Sequence, residues 1–335
     1  MIVKKYPADF GHTTVINNLC LELKNQGYDA VIGAFSFSSP PPYDIKPIKL
    51  NKFELFFKGV NSLNYDIINF HQTFPIYFLL TKKTNKPIVL YYHGASNLLQ
   101  KINFKIAMKL YKNRISKIIS VSKSGIEQMK QLIGDISAEV IYNGVDTEFY
   151  NPDLPIPYKK GEPQLLFVSG LRTYKKTSVL IQSMPKLLQK YPNAHLQIVG
   201  EGKDFENLKN IIKEKNLENS VELTGKISNE ELKLRYSSCD VYVSASTFEV
   251  CPVPTLEAMA CGKPLVLSDI PPHREIIEIS KAGKIFSSTQ NSDFIDAVEN
   301  VFQNKEIYKK LSLTFAKEHD WKEITKQVIK NFENT

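Results

Sequence analysis

The stretch VYVSASTFEVCPVPTLEAMACGKPLVLSD, Val241 to Asp269, decides the fold. Its first six residues read as a strand, which Thr247 and Phe248 leave. Pro252 and Pro254 suit the first turn of a helix, where a missing N–H goes unnoticed, and Gly262 supplies the stop. PLVLSD is then a second apolar run of strand length. Two strands joined through a helix pair in parallel by a crossover, so the segment is one βαβ unit of an α/β sheet. It also sets two carboxylates eight positions apart: Glu249 in the loop leaving the strand and Glu257 about one turn into the helix.

The same alternation extends outward. QLLFVSG (164–170) precedes a helix running to Tyr191, HLQIVG (195–200) a helix running to Asn216, and VELTG (221–225) a third. In the first half, TTVINNLCLELKNQGY carries Val15, Leu19 and Leu23 at helical spacing and ends at Gly27. DAVIGAF, YDIINF, PIVLYYH, KIISVS and AEVIYNG follow as strands with helical stretches between them. NPDLPIPYKKGEP (151–163), rich in proline and polar residues, reads as a linker. A chain of 335 residues exceeds one ordinary core. The expected architecture is therefore α/β, two Rossmann-like domains with parallel sheets facing a central cleft, the first over 1–153 and the second over 154–321. MIVKKYPADFG leaves few residues ahead of the first turn, so an abbreviated first strand is expected.

Composition bounds the function. No apolar run approaches the length of a membrane span, and the four cysteines (Cys20, Cys239, Cys251, Cys261) form neither a CxxC pair nor a compact disulfide framework, which makes the reducing cytoplasm the default. The net charge of +8 is uneven: Lys46 to Lys130 holds fifteen Lys and Arg against three acids, whereas 156–335 is nearly balanced. A basic first half suits anionic lipid, nucleic acid or a phosphorylated substrate, or simply keeps the chain soluble.

In open α/β sheets ligands bind beyond the carboxyl ends of the strands, so the loops there hold the candidates. After QLLFVSG, Arg172, Lys175 and Lys176 crowd the start of a helix. Cations oppose the macrodipole there unless an anion shares the site, so the cluster marks either a phosphate site or a solvated first turn. GEGKDF, starting at Gly200, begins like a dinucleotide fingerprint, but Phe205 stands where the third glycine belongs, which argues against a nicotinamide site and for a tight turn into a helix. Glu249 and Glu257 are each placed to accept paired hydroxyls, or to serve as a loop cap and a surface helix residue.

Taken together, VIYNGVDTEFYNP, LLFVSGLRTYKK, HLQIVGEG and FEVCPVPTLEAMACGKPLVLSDI resemble, in order, segments of the retaining glycosyltransferases of family 4, which have the GT-B fold. The resemblance implies that Glu257 holds the ribose of a nucleotide-diphosphate sugar, that Glu249 lies near the donor sugar, and that Arg172 and Lys175 bind the diphosphate. Gly170, Lys176, Gly200, Cys251 and Val253 complete the donor loops. YYHG places His93 near the reacting sugar, and ADFGHTT places Gly11 in a turn near the acceptor and phosphates. HDWKEITKQVIKNF resembles the closing helix that returns to the first domain, over 322–335, with Trp321 at the crossover. Differences from the family pattern include Val250, Cys251 and Pro252 in place of Gly-Phe-Gly, Lys176 in place of a common glycine, and His12 in place of the second glycine of the N-terminal turn. No Asp-x-Asp pair occurs, so no metal and no cofactor are expected, with the cations doing the work of a divalent ion.

The acceptor is expected to be a glycan or a lipid-linked sugar. In NLLQKINFKIAMKLYKNRISKII, Lys101, Lys105 and Lys109 form a basic stripe beside Leu98, Ile102, Ile106 and Leu110. Such a helix either lies on an anionic membrane, at the inner face of the cell membrane, or buries its apolar stripe in the domain and leaves the lysines in water. Two rivals remain at this point. A sugar-nucleotide epimerase of the same architecture would bind the same donor, and a nucleic-acid binder would explain the basic half but not the glutamates.

Overall fold

The computed structural model describes residues 1–8, 12–42, 44–59, 65–82, 84–287 and 291–335. The chain divides into two compact units, Met1–Gly144 with Trp321–Thr335, and Val145–Asp320.

In the first unit, β1 (Ile2–Tyr6), β2 (Val31–Phe37), β3 (Lys46–Lys49), β4 (Ile68–Phe70), β5 (Ile88–Tyr92), β6 (Lys117–Ser120) and β7 (Glu139–Val140) form one sheet in the order β3-β2-β1-β4-β5-β6-β7. Every pairing is parallel. The connections carry α1 (His12–Asn25), α2 (Lys52–Lys58), α3 (Phe78–Thr81), α4 (Leu98–Tyr111) and α5 (Lys123–Ile133). Ile68, Phe70, Leu90 and Tyr92 bury one face of this sheet against Phe104 and Met108 of α4.

The second unit contains β8 (Gln164–Val168), α6 (Thr177–Lys190), β9 (His195–Val199), α7 (Phe205–Glu214), β10 (Val221–Gly225) and α8 (Asn229–Ser238). It continues through β11 (Val241–Ser244), α9 (Val253–Ala260), β12 (Leu265–Ser268), α10 (Pro271–Ser280), β13 (Gly283–Phe286), α11 (Asn291–Gln303) and α12 (Lys305–Glu318). The sheet order is β10-β9-β8-β11-β12-β13, again parallel throughout. Alternate residues of its strands feed two cores: Leu165, Phe167, Leu196 and Ile198 with α6 and α7 on one face, Leu166, Tyr242 and Leu265 with α9 on the other.

Both units are thus doubly wound, as expected, and each sheet reverses direction once, between β1 and β4 and between β8 and β11. Three expectations change. The first strand is not abbreviated, since β1 spans five residues and pairs on both sides. The strand expected over 138–144 shrinks to β7, two residues. The segment 145–153, assigned to the first domain from the linker's composition, falls in the second unit. The Val145 N–H donates to His319 O at 2.9 Å and the Thr147 hydroxyl to Asp320 Oδ2 at 2.5 Å, which ties this strand exit to the end of α12. After that point α13 (Trp321–Glu333) packs on α1, and Trp321 lies so close to Gly144 that a Cβ there would sit 2.5 Å from the indole.

Candidate active site

In the second unit the loops after β8 and β11, on either side of the sheet's reversal, are stitched together. The Thr247 N–H and hydroxyl both donate to Tyr174 O, at 2.8 and 3.0 Å. Phe248 meets the Tyr174 ring edge-on. This clasp brings Lys175 and Glu249 into an ion pair of 2.6 Å, with each side chain only 14% exposed. Arg172, on the same loop, donates from Nη1 to the Tyr174 hydroxyl at 3.3 Å. Arg172, Lys175 and Glu249 therefore gather around one tyrosine.

Lys176 follows with left-handed backbone, φ 49° and ψ 34°, and starts α6 without any side-chain cap. That conformation explains why glycine suits the position: a Cβ costs about 1–2 kcal/mol there. The first N–H groups of α6 are left unclaimed by a capping side chain, which favours a negative group at this end. α9 is similar, with Pro252 as an N-cap that makes no side-chain bond, Val253 as its first residue and Pro254 removing one donor. Cys251 is half-buried just ahead of it.

Gly200 and Gly202 are explained by the backbone. A Cβ on Gly200 would overlap the Ser169 carbonyl, and one on Gly202 the Leu171 carbonyl, because Ser169 N–H reaches Val199 O and Leu171 N–H reaches Glu201 O. The turn after β9 is thus the floor that holds the loop after β8. Gly170 is exposed, and a Cβ there would meet only the Glu201 carbonyl oxygen, at an ordinary 3.9 Å.

Glu257, expected either to accept paired hydroxyls or to lie on the surface of its helix, is not a surface residue. It is buried, and its Oε2 accepts the Tyr236 hydroxyl at 2.8 Å, with Tyr150 as a second phenol partner. Burial pushes its pKa up to about 7, and the two phenols pull it partly back. Burial raises the Tyr242 phenol well above its usual range, and the charges of Glu249 and Glu257 raise it further. Sequence reasoning missed Tyr150, Tyr236 and His273. His273 is fully buried on α10, with Nδ1 at 3.0 Å from Ser268 O, and Ser268 Oγ in turn donates to Ser246 O at 2.5 Å. Burial drives His273 to about 4, leaving it neutral, with Glu249 opposing and Lys175 reinforcing the shift. Its only advance sign is its place just beyond a strand end, in PPHRE.

In the first unit, His93 follows β5 and is not alone. Its Nε2 lies 3.1 Å from Nδ1 of His71, which follows β4, and its ring sits 4.7 Å from that of His12 at the start of α1. His71 also stacks on Tyr91. Burial lowers both the His71 and His93 pKa values well below the usual range; the N-terminal ammonium and then His12 lower His71 further, and His12 and His71 lower His93 further, so both are neutral near pH 7. They line a cavity of about 80 Å³ together with His12, Gln72, Phe74 and Gln100. Gln128 fixes the loop by accepting from Ala95 N–H at 2.8 Å. Gly11, expected in a turn near the acceptor and phosphates, lies outside the described residues.

Two family profiles match the chain: Glycosyl transferases group 1 over residues 154–326 and Glycosyltransferase Family 4 over 11–149. An uncharacterized glycosyltransferase of Methanocaldococcus jannaschii is 26% identical, covering 85% of this chain and 80% of that protein. Alpha-monoglucosyldiacylglycerol synthase of Acholeplasma laidlawii is 24% identical, covering 81% and 75%. Among solved structures, HepE of Anabaena in complex with UDP and glucose superposes with a TM-score of 0.82 at 17% identity, covering 100% of this chain and 99% of that one. These relatives are glycosyltransferases, which favours neither the epimerase nor the nucleic-acid alternative.

Proposed function

The chain belongs to the group 1 glycosyl transferases, with the GT-B fold, and from that premise we propose that it moves a hexose from a nucleotide-diphosphate sugar to a glycan or lipid-linked acceptor with retention of anomeric configuration. The observation that carries this reading is the Lys175–Glu249 pair, held nearly dry at the reversal of the second sheet. A cation so placed matches a diphosphate, and a carboxylate beside it matches sugar hydroxyls.

In the proposed reaction the bond from the anomeric carbon to the diphosphate breaks, and negative charge gathers on the leaving phosphate. Arg172 and Lys175 meet that charge, with Lys176, Gly170 and the uncapped starts of α6 and α9 around it. Glu257 accepts the ribose hydroxyls and Glu249 those of the donor sugar. His93, neutral and fixed by His71, takes the role near the reacting sugar. The guanidinium and ammonium groups replace a divalent ion, so the reaction is metal-independent. Cys20, Cys239, Cys251 and Cys261, spaced with neither a CxxC pair nor a compact disulfide framework, fit a reducing compartment, and we assign the enzyme to the cytoplasm, at the inner face of the cell membrane.

The test is acceptor-dependent transfer followed by NMR of the product's anomeric proton, with and without EDTA. Retained configuration at an unchanged rate in EDTA is expected. An inverted product, or a rate abolished by EDTA and restored by magnesium, would overturn the proposal.

A further inference from the structure

α4 resolves the two readings of its sequence against burial. Its inward face is Phe104, Ala107, Met108 and Tyr111, whereas Leu98, Ile102, Ile106 and Leu110 all stand in water, Leu98 at 73% exposure. Leu99 joins them, also exposed. The helix is apolar on both sides, and the side flanked by Lys101, Lys105 and Lys109 is the outer one. Next to it, α3 packs on both α4 and α2 and presents Phe78. α2 adds Phe53, Phe56 and Phe57, with Phe53 at 78% exposure.

We propose that this face of α2, α3 and α4 docks on the surface of an anionic phospholipid bilayer. Isolated surface leucines need no explanation, but nine large apolar side chains on three adjacent helices do. Their border is cationic. From Leu98 to Arg114 there are five bases and no acid, Lys82 lies 4.4 Å from the Phe56 ring centroid, and Glu54, the one acid of α2, is paired with Lys58. Leucine, isoleucine and phenylalanine enter the acyl boundary while lysines stay at the phosphates, which is the division of labour of an interfacial helix. A second copy of the chain fits the face poorly, because a two-fold contact would set lysine row against lysine row with no acids to answer them.

The position of the face adds a consequence, which rests on the proposed glycosyl transfer. Gln100, in the first turn of α4, lines the His93 cavity, and Leu98 and Leu99 belong to the same turn. Docking through α4 therefore sets that cavity at headgroup depth, where the sugar of a lipid-linked acceptor lies.

Co-sedimentation with vesicles of phosphatidylglycerol and phosphatidylcholine, and with phosphatidylcholine alone, tests the docking. Binding to the anionic vesicles that weakens with added salt is expected. Ile102→Ser with Ile106→Ser, and separately Lys101→Glu with Lys105→Glu and Lys109→Glu, should each weaken it about tenfold or more. All these positions are partly or fully exposed, and an unchanged melting curve for each variant shows that its fold is kept. The thermal shift given by the donor sugar is expected to survive in both variants, so loss of vesicle binding is distinguished from failure of the donor site. No sedimentation at low salt, equal binding to neutral vesicles, or equal binding by the variants overturns the proposal. So does a dimer in the absence of lipid that Ile102→Ser with Ile106→Ser abolishes.

Discussion

Glu257 ties stability, and the proposed donor site, to pH. Burial lifts its carboxyl from an ordinary 4.5 to about 7, so folding favours the protonated form. This contribution to stability is complete below about pH 4.5 and is lost as pH rises through about 7, with an amplitude on the order of 3 kcal/mol. Glu257→Gln copies the protonated state, keeps partners for Tyr236 and Tyr150, and should flatten the fall of melting temperature between pH 5 and pH 8. Ribose hydroxyls donate best to the ionised group, so donor affinity of the unmodified protein should rise through about pH 7 and that of the variant should not. Calorimetric titration at pH 6 and pH 8 checks this. His71 is the second residue with a readable role. If it positions His93 through the 3.1 Å contact, His71→Phe, which retains the stacking on Tyr91, should lower kcat about tenfold at unchanged KM, and His71→Asn, which keeps a polar atom in the Nδ1 place, should restore most of it. Equal kcat in all three proteins would mean that the contact is only packing.

At the scale of elements, the loop after β8 owes its shape to its neighbour. Gly200→Ala drives a methyl into the Ser169 carbonyl at a residue with φ +131°, so it should destabilise the protein by several kcal/mol. In a urea titration the midpoint should fall markedly, whereas Gly170→Ala, whose methyl would meet only the Glu201 carbonyl at an ordinary 3.9 Å, should leave it nearly unchanged. Elements with strong periodicity or apolar runs were legible in sequence: α1, β5 and the β11–α9–β12 unit lie where Val15, Leu19 and Leu23, PIVLYY and the paired prolines put them. β3 and β13 were not. KPIK is exposed at most positions and GKIF is only four residues long, so neither carries an alternation that distinguishes a strand from a loop. α4 was legible as a helix but not as to which side faces in. Periodicity reports that a stripe is apolar, and only burial tells which of two apolar stripes packs.

At the scale of the whole molecule, the two doubly wound units follow from strands alternating with helices, and the reversal of each sheet marks the place where ligands of such sheets generally bind. The candidate site was legible where its residues stand on strand-end loops, as Arg172, Lys175, Glu249 and His93 do. It was not legible where a partner arrives from far along the chain. Tyr150 and Tyr236 reach Glu257 from other elements, and His71 reaches His93 from another strand. No short motif marks such meetings. The central claim is that the second unit grips a nucleotide-diphosphate sugar through the cations after β8. Thermal shift with UDP-, GDP- and ADP-sugars, on the unmodified protein and on Lys175→Ala, tests it most directly, because a ligand bound only to the folded state raises its melting temperature. One class of donor should raise the unmodified protein by a few degrees and leave Lys175→Ala unmoved. No shift with any donor, or an equal shift in both proteins, would contradict the account.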